Sequence, residues 1–252
     1  MRDRDLLRRG TSLLIFLLLW QVLSLRLSGG LAVASPPEAL RALWALLPTP
    51  GFWRGVLSSC AHILGGLLAA LLAAAPAAAL SFHFRAAEFL AAPPVAFMKS
   101  VPVTVIVILL LILFSSDGIA LAVVFLVAFP ILYTALLSGA RDADEKLLEM
   151  ARVFRWSEGR KWRWIRLASA RPHLESALRL ASGMAWKAGI AAEVIGVSPG
   201  SVGEALYSAR VFLATDELFA WAAAIMVMGA LTERGALLGL RLFFRAVRPT
   251  AR

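Results

Sequence analysis

GGLLAALLAAAPAAAL, residues 65–80, contains no charged or hydrogen-bonding side chain. A helix built from it has no face suited to water. It lies within a longer apolar stretch, 56–82, which exceeds the roughly 20 residues needed to cross the hydrocarbon core of a bilayer. Gly65, Gly66, Ala69, Ala70, Ala73, Ala74, Ala77 and Ala78 recur three or four apart. One side of the helix can therefore bring its backbone close to another helix, within the subunit or across a seam to a second copy.

Outward from this run lie five more apolar stretches, 11–28, 90–114, 118–139, 174–197 and 217–240. Together they predict an all-α integral membrane protein of about six transmembrane helices, with 1–252 forming a single transmembrane domain. The 90–114 stretch holds Pro93, Pro94, Lys99 and Pro102 ahead of VIVILLLILF, so its first half should be kinked or shielded by neighbouring helices. The 174–197 stretch is less apolar and carries Arg179, Lys187 and Glu193. Composition agrees: 60% of the 252 residues are hydrophobic and 17% charged, where a soluble domain has about 25% charged.

Lys and Arg outnumber Asp and Glu by 26 to 16, a net charge of +10. On a soluble surface this excess would suggest nucleic acid. Here the charges sit between apolar runs, as positive loops do on the cytoplasmic side of a membrane, and nucleic acid is not an expected partner. Nine Lys/Arg fall in 141–171, with Arg2, Arg4, Arg8 and Arg9 at the N-terminus and Arg241, Arg245, Arg248 and Arg252 in the tail. Six spans put these three segments on one side, which predicts that both termini are cytoplasmic. MRDRDLLRRG, the apolar stretch after it and AVAS at 32–35 also fit a signal peptide with a small-residue cleavage site. Cleavage would leave every later loop on its side, so the charges do not choose between the two readings. Cys60 is the only cysteine, and His62, His83 and His173 form no HxxxH pattern; no intrachain disulfide is possible and no metal centre is expected.

LEMARVFRWSEGRKWRWIRLA, 148–168, carries six Lys/Arg and two Glu among aromatics, between the fourth and fifth spans. Leu147, Met150, Ala151 and Phe154 recur at helical spacing against Glu145, Lys146, Glu149 and Arg152. That pattern is a short amphipathic helix, of the kind that docks into a groove on a partner. Trp156, Trp162 and Trp164 follow among basic residues and suit anchoring at the lipid headgroups. Asp142, Asp144 and Glu145 read as negative charge at a helix N-terminus.

The segment resembles the "EAA" loop of the integral-membrane subunits of ABC importers, E-A-A-x3-G-x9-I-x-L-P. Glu149, Met150, Ala151, Arg155, Ile165, Leu167 and Ala168 stand at its signature positions with the spacing kept in full. Glu149, Ala151, Ile165 and Leu167 match in identity; Met150, Arg155 and Ala168 depart. The resemblance is closest to permeases for nitrate, sulfonate, taurine and related compounds. It extends to SPPEALRALWALL (35–47), KSVPVTVIVILLLILF (99–114), FPILYTALLSGARDADEKLLEMAR (129–152), AWKAGIAAEVIG (185–196) and ATDELFAWAAAIMVMGAL (214–231).

What the resemblance implies is a permease of an ATP-driven importer in the inner membrane. It would pair with a second copy, dock two cytoplasmic ATPase subunits and receive cargo from an extracytoplasmic binding protein. The 141–171 loop would be the coupling loop, with Glu149 meeting basic residues in the ATPase groove and Phe154 on the docking helix. ATP and Mg would be bound by the ATPase, in keeping with the absence of GxxxxGK[ST] from this chain. Arg155 stands where the motif has a turn-forming Gly, so Gly159 is expected to take over the turn, and Pro172 to start the next helix in place of the motif Pro. Trp186, Lys187 and Glu193 are candidates for the translocation path. Lys187 would favour an anion such as a sulfonate or nitrate; the alternative is that it and Glu193 pair with neighbouring helices or with the other subunit and serve only structure. The alternatives are a membrane component of an energy-coupling-factor importer, whose Ala-Arg-Gly-type signatures are missing, a secondary transporter, and a membrane-embedded enzyme lacking converging catalytic groups.

Overall fold

A Thr-Pro pair starts the helix around which the molecule is built. The Thr49 hydroxyl accepts the N–H of Phe52 at 3.3 Å, and Pro50 takes the first helical position, where its missing N–H costs nothing. A computed structural model describes residues 2–27, 33–113 and 115–247, and all regular structure in them is helical. In chain order the helices are α1 (Arg2–Leu27), α2 (Pro36–Leu46), α3 (Pro50–His83), α4 (Arg85–Ser100), α5 (Val103–Leu113), α6 (Ile119–Arg141), α7 (Glu145–Val153), α8 (Glu158–Lys161), α9 (Leu167–Gly196), α10 (Val202–Val211) and α11 (Thr215–Val247). A π-helical turn, Trp162–Arg166, joins α8 to α9.

Three helices, Pro50–His83, Ile119–Arg141 and Thr215–Ala246, are long and apolar enough to cross a bilayer. They contain most of the predicted 56–82, 118–139 and 217–240 stretches. The 90–114 stretch is two helices, α4 and α5, bent by 105°. The break falls at Val101–Pro102, while Pro93 and Pro94 lie inside α4. Val101 is extended, with φ −77° and ψ 129°, because a residue before proline is pushed out of the helical region. The 174–197 stretch is the later part of α9, which begins at Leu167 and contains Pro172 instead of starting at it. The helices α2 and α10 lie outside the apolar stretches. Of the N-terminal span, Gly10–Arg26 is a shorter apolar helical segment. Ala32 of the AVAS site, Ser28, Phe114, Arg248 and Arg252 lie outside the described residues.

The core is a three-helix contact of α3, α6 and α9. Gly66, Ala70, Ala74 and Ala78 form the buried edge of α3, whereas Leu64, Leu68, Leu72 and Leu80 are exposed. The small-residue stripe thus serves packing within the subunit: a Cβ on Gly66 would lie 2.5 Å from the Leu121 carbonyl oxygen and 2.9 Å from Val124 Cβ. Polar ties join the helices as well. The Tyr133 hydroxyl donates to Ser81 Oγ at 2.8 Å, joining α6 to α3, and Arg179 pairs with Glu233 at 3.0 Å, joining α9 to α11.

Candidate functional site

The Asp144 carboxylate caps α7 by accepting the Lys146 N–H at 2.9 Å, satisfying one of the orphan donors at the helix start. The helix turns outward an apolar ridge of Leu147, Met150, Val153 and Phe154, all exposed, with Glu149 exposed beside it. Ala151 is fully buried and Leu148 half-buried. At about 100° per residue, Leu148 and Ala151 face the bundle, and the ridge is centred roughly 120° further round the helix, with Leu147 at its near edge. The expected apolar face is therefore divided: Ala151 belongs to the bundle, and Leu147, Met150 and Phe154 to the outside.

The turn after α7 is made by Arg155, with φ +51°. Its N–H bonds to the Arg152 carbonyl at 3.0 Å, and the Trp156 N–H bonds to the Ala151 carbonyl at 2.8 Å. These two bonds are those of a Schellman motif with Arg155 at the left-handed position where glycine is usual. The expectation that Gly159 takes over the turn is overturned. Gly159 lies inside α8 and is not among the residues with positive φ, because the turn must follow directly on the last residue of α7. Lys161 lies 2.6 Å from Glu158 and holds that carboxyl below its ordinary range.

Beyond α8 the chain is clamped to the bundle. The Trp162 ring meets Phe82 edge-on at 5.2 Å, and the Arg166 guanidinium stacks over the other part of this contact, 4.2 Å from the Phe82 centroid. Arg166 also donates to the Ala140 carbonyl at 3.1 Å, capping the end of α6. Ile165 is buried and Leu167 half-buried. Trp162 thus packs on α3, while Trp164 is exposed. Asp142 pairs with His173 Nε2 at 3.1 Å, tying the start of the segment to α9.

Glu193 lies far from this segment along α9 and is fully buried. Its Oε2 accepts from the Ser59 hydroxyl at 2.6 Å and the Gly203 N–H at 3.2 Å. Ser59 Oγ in turn accepts the Val202 N–H at 3.0 Å. The carboxylate and the hydroxyl thereby satisfy the first amides of α10. Gly203 is required: a Cβ there would lie 2.2 Å from Glu193 Cβ. Glu193 Oε1 faces His62 Nδ1 at 3.9 Å. Trp186 is buried and donates to Thr232 Oγ1 at 3.0 Å, pinning α9 to α11. Lys187 is exposed and forms no ion pair with Glu193. Ser59, His62 and Gly203 carried no sequence signal, since they reach Glu193 only through folding.

A concave feature between these elements was not foreseen. An open groove of about 610 Å³ runs between the end of α4, the second half of α6 and the first part of α9, lined by Lys99, Thr134, Ser138, Pro172, His173, Ser176 and apolar side chains. Of its residues Lys99 stood out in the sequence as a charge within an apolar stretch and Pro172 as a helix start, but nothing in the sequence brought them together.

Comparison with known proteins agrees with this architecture. Residues 64–236 match the family of binding-protein-dependent transport system inner membrane components. The chain is 26% identical over 246 residues to the taurine transport system permease protein TauC of Escherichia coli (strain K12), covering 95% of this chain and 88% of that protein. It is 29% identical over 235 residues to the putative aliphatic sulfonates transport permease protein SsuC of Bacillus subtilis (strain 168), covering 87% and 80% respectively. The match runs from the middle of α3 through most of α11 and includes the whole clamped segment, so the chain belongs to the binding-protein-dependent inner membrane components and is a multi-pass permease of an ABC importer.

Proposed function

We propose that this permease conducts a small organosulfonate or similar anion, and that α7 is the helix through which a separate cytoplasmic ATPase drives it. The observation that carries the coupling role is the exposed ridge Leu147, Met150, Val153 and Phe154, with Glu149 at its flank, held out from the bundle by the Arg155 turn. Unpartnered apolar side chains beside an acid suit a basic-rimmed groove on a partner protein. Six crossings, counting Gly10–Arg26, the bent α4–α5 pair and α9 with the three long apolar helices, would put the nine Lys/Arg of 141–171 and both termini in the cytoplasm. A second copy of the chain would complete the pathway, with ATP and Mg on the ATPase subunits and cargo delivered by an extracytoplasmic binding protein. The sulfonate reading comes from the relatives named for taurine and aliphatic sulfonates.

The test is co-expression with the ATPase encoded beside this chain. Glu149→Arg reverses the charge of an exposed side chain, so folding is unaffected while co-purification and stimulated ATP hydrolysis are lost. Retention of both in the variant would remove α7 from the coupling role.

A further inference from the structure

We propose that the groove between α4, α6 and α9 is a binding site for the acid group of an anionic cargo, with Lys99 supplying the charge and Ser138 and Ser176 the hydrogen bonds. This rests on the importer reading above and names the residues that would hold the anion.

Lys99 sits in the last turn of α4 and lines the groove. Among the described residues it makes no ion pair or hydrogen bond. Among the described residues no acid lines the groove, and Asp142, which pairs with the lining His173 at 3.1 Å, is already engaged. The groove therefore carries an uncompensated positive charge. Lys99 is exposed, so its ammonium is open to an incoming anion. The hydroxyls have the matching pattern. Thr134 donates to the Pro130 carbonyl at 2.7 Å and has no proton left to offer. The side-chain hydroxyls of Ser138 and Ser176 make no hydrogen bond among the described residues, so each has a donor free to meet an anionic oxygen. A volume of about 610 Å³ falls in the ordinary range for small-molecule sites, and apolar lining beside a few convergent polar groups suits a short alkyl chain ending in a sulfonate. His173 lines the groove and is held by Asp142, two residues before the cap of α7. Occupancy of the site is thus one ion pair away from the coupling helix.

The experiment uses the permease assembled with its ATPase and binding protein in proteoliposomes, and follows uptake of radiolabelled taurine and of a short alkanesulfonate. Lys99→Met is expected to lower uptake at least about tenfold, with Lys99→Arg restoring most of it. Uptake by the wild type that is unchanged in Lys99→Met, or that falls in Lys187→Met alone, overturns the groove and leaves the importer reading standing. No uptake of either compound by the wild type overturns the anionic-cargo reading and the groove with it. A second measurement does not depend on transport. In a Cys60→Ser background, Ser176→Cys is modified by two methanethiosulfonates of similar size, one bearing a sulfonate and the other a trimethylammonium group. At roughly 5 Å in a water-filled groove, one positive charge alters each rate about fourfold, in opposite directions. Removing Lys99 should therefore lower the sulfonate-to-ammonium rate ratio by more than about tenfold; an unchanged ratio overturns the proposal.

Discussion

Arg155→Gly is expected to stabilise the end of α7. Arg155 holds φ +51°, a region that costs a residue with a Cβ about 1–2 kcal/mol and glycine nothing. Glycine loses more backbone entropy on ordering, an opposing effect of about 0.5–1 kcal/mol. The net gain is about 0.5–1 kcal/mol, or roughly two- to fivefold in the local opening equilibrium. Thermal unfolding of the whole bundle would not register so local a change. Amide exchange would, because the N–H groups of Arg155 and Trp156 are both held in the turn, at 3.0 and 2.8 Å from their acceptors. Peptides covering 150–158 should exchange two- to fivefold more slowly in Arg155→Gly, with no slowing in Arg155→Ala, which keeps the Cβ. The complementary change is Gly159→Ala. If Gly159 lies in helix, alanine there slows exchange in α8 by a similar factor. Faster exchange in Gly159→Ala together with no slowing in Arg155→Gly would refute the assignment of the turn.

Two further perturbations separate packing from polar ties, both read as the midpoint of thermal unfolding in detergent. Gly66→Val inserts a side chain where even the Cβ would lie 2.5 Å from the Leu121 carbonyl, so α3 and α6 must part at a cost of about 1–3 kcal/mol; Gly65→Ala, which meets only the Leu121 side chain at 3.3 Å, is expected to be nearly neutral, and equal losses would contradict the assignment of the buried edge. Glu193→Leu strands the buried Ser59 hydroxyl and Gly203 N–H at about 1–3 kcal/mol each, whereas the amide oxygen of Glu193→Gln can accept both and should lose about 1 kcal/mol or less; equal loss in the two variants would show that charge, and not hydrogen bonding, holds α10.

The long apolar runs made most of α3, α6 and α11 legible, because a helix with no polar side chain has no stable place in water. The departures share one cause, which is that local pattern does not say what a residue will touch. Periodicity grouped Leu147, Met150, Ala151 and Phe154 on one arc, but an arc about 100° wide reaches from the bundle side to the outside, and only Ala151 is small enough to close against the bundle. Glycine preference pointed to Gly159, yet the hydrogen bonds closing a helix end fix the left-handed residue by its distance from the last turn, and that residue is Arg155. Proline preference placed the start of α9 at Pro172, whereas the π turn at Trp162–Arg166, held by Phe82 and Ala140, carries the helix past it. α2 and α10 are too short and too polar to register as spans. Glu193 was conspicuous as an acid in an apolar stretch, but its partners come from α3 and α10, and Ser59 is 134 residues away in the chain.

From α8 to the far end of α9 the chain is one unbroken helical path, joined to the Arg155 turn by Trp156 and Ser157. α8, the π turn and α9 are continuous from Glu158 to Gly196, a path of roughly 58 Å at 1.5 Å per residue. Near its start, Trp162 and Arg166 both grip Phe82 at the end of α3, at 5.2 and 4.2 Å, while Arg166 also holds Ala140 of α6. Any displacement of α8 would therefore reach the ends of α3 and α6 together with α9. A rigid helix pivoting at such a clamp moves most at its far end. In α9 the near part carries His173 and Ser176 of the groove, and the far part carries Glu193, whose hydrogen bonds hold the first turn of α10. One rotation of α9 would consequently alter the groove and the first turn of α10 at once.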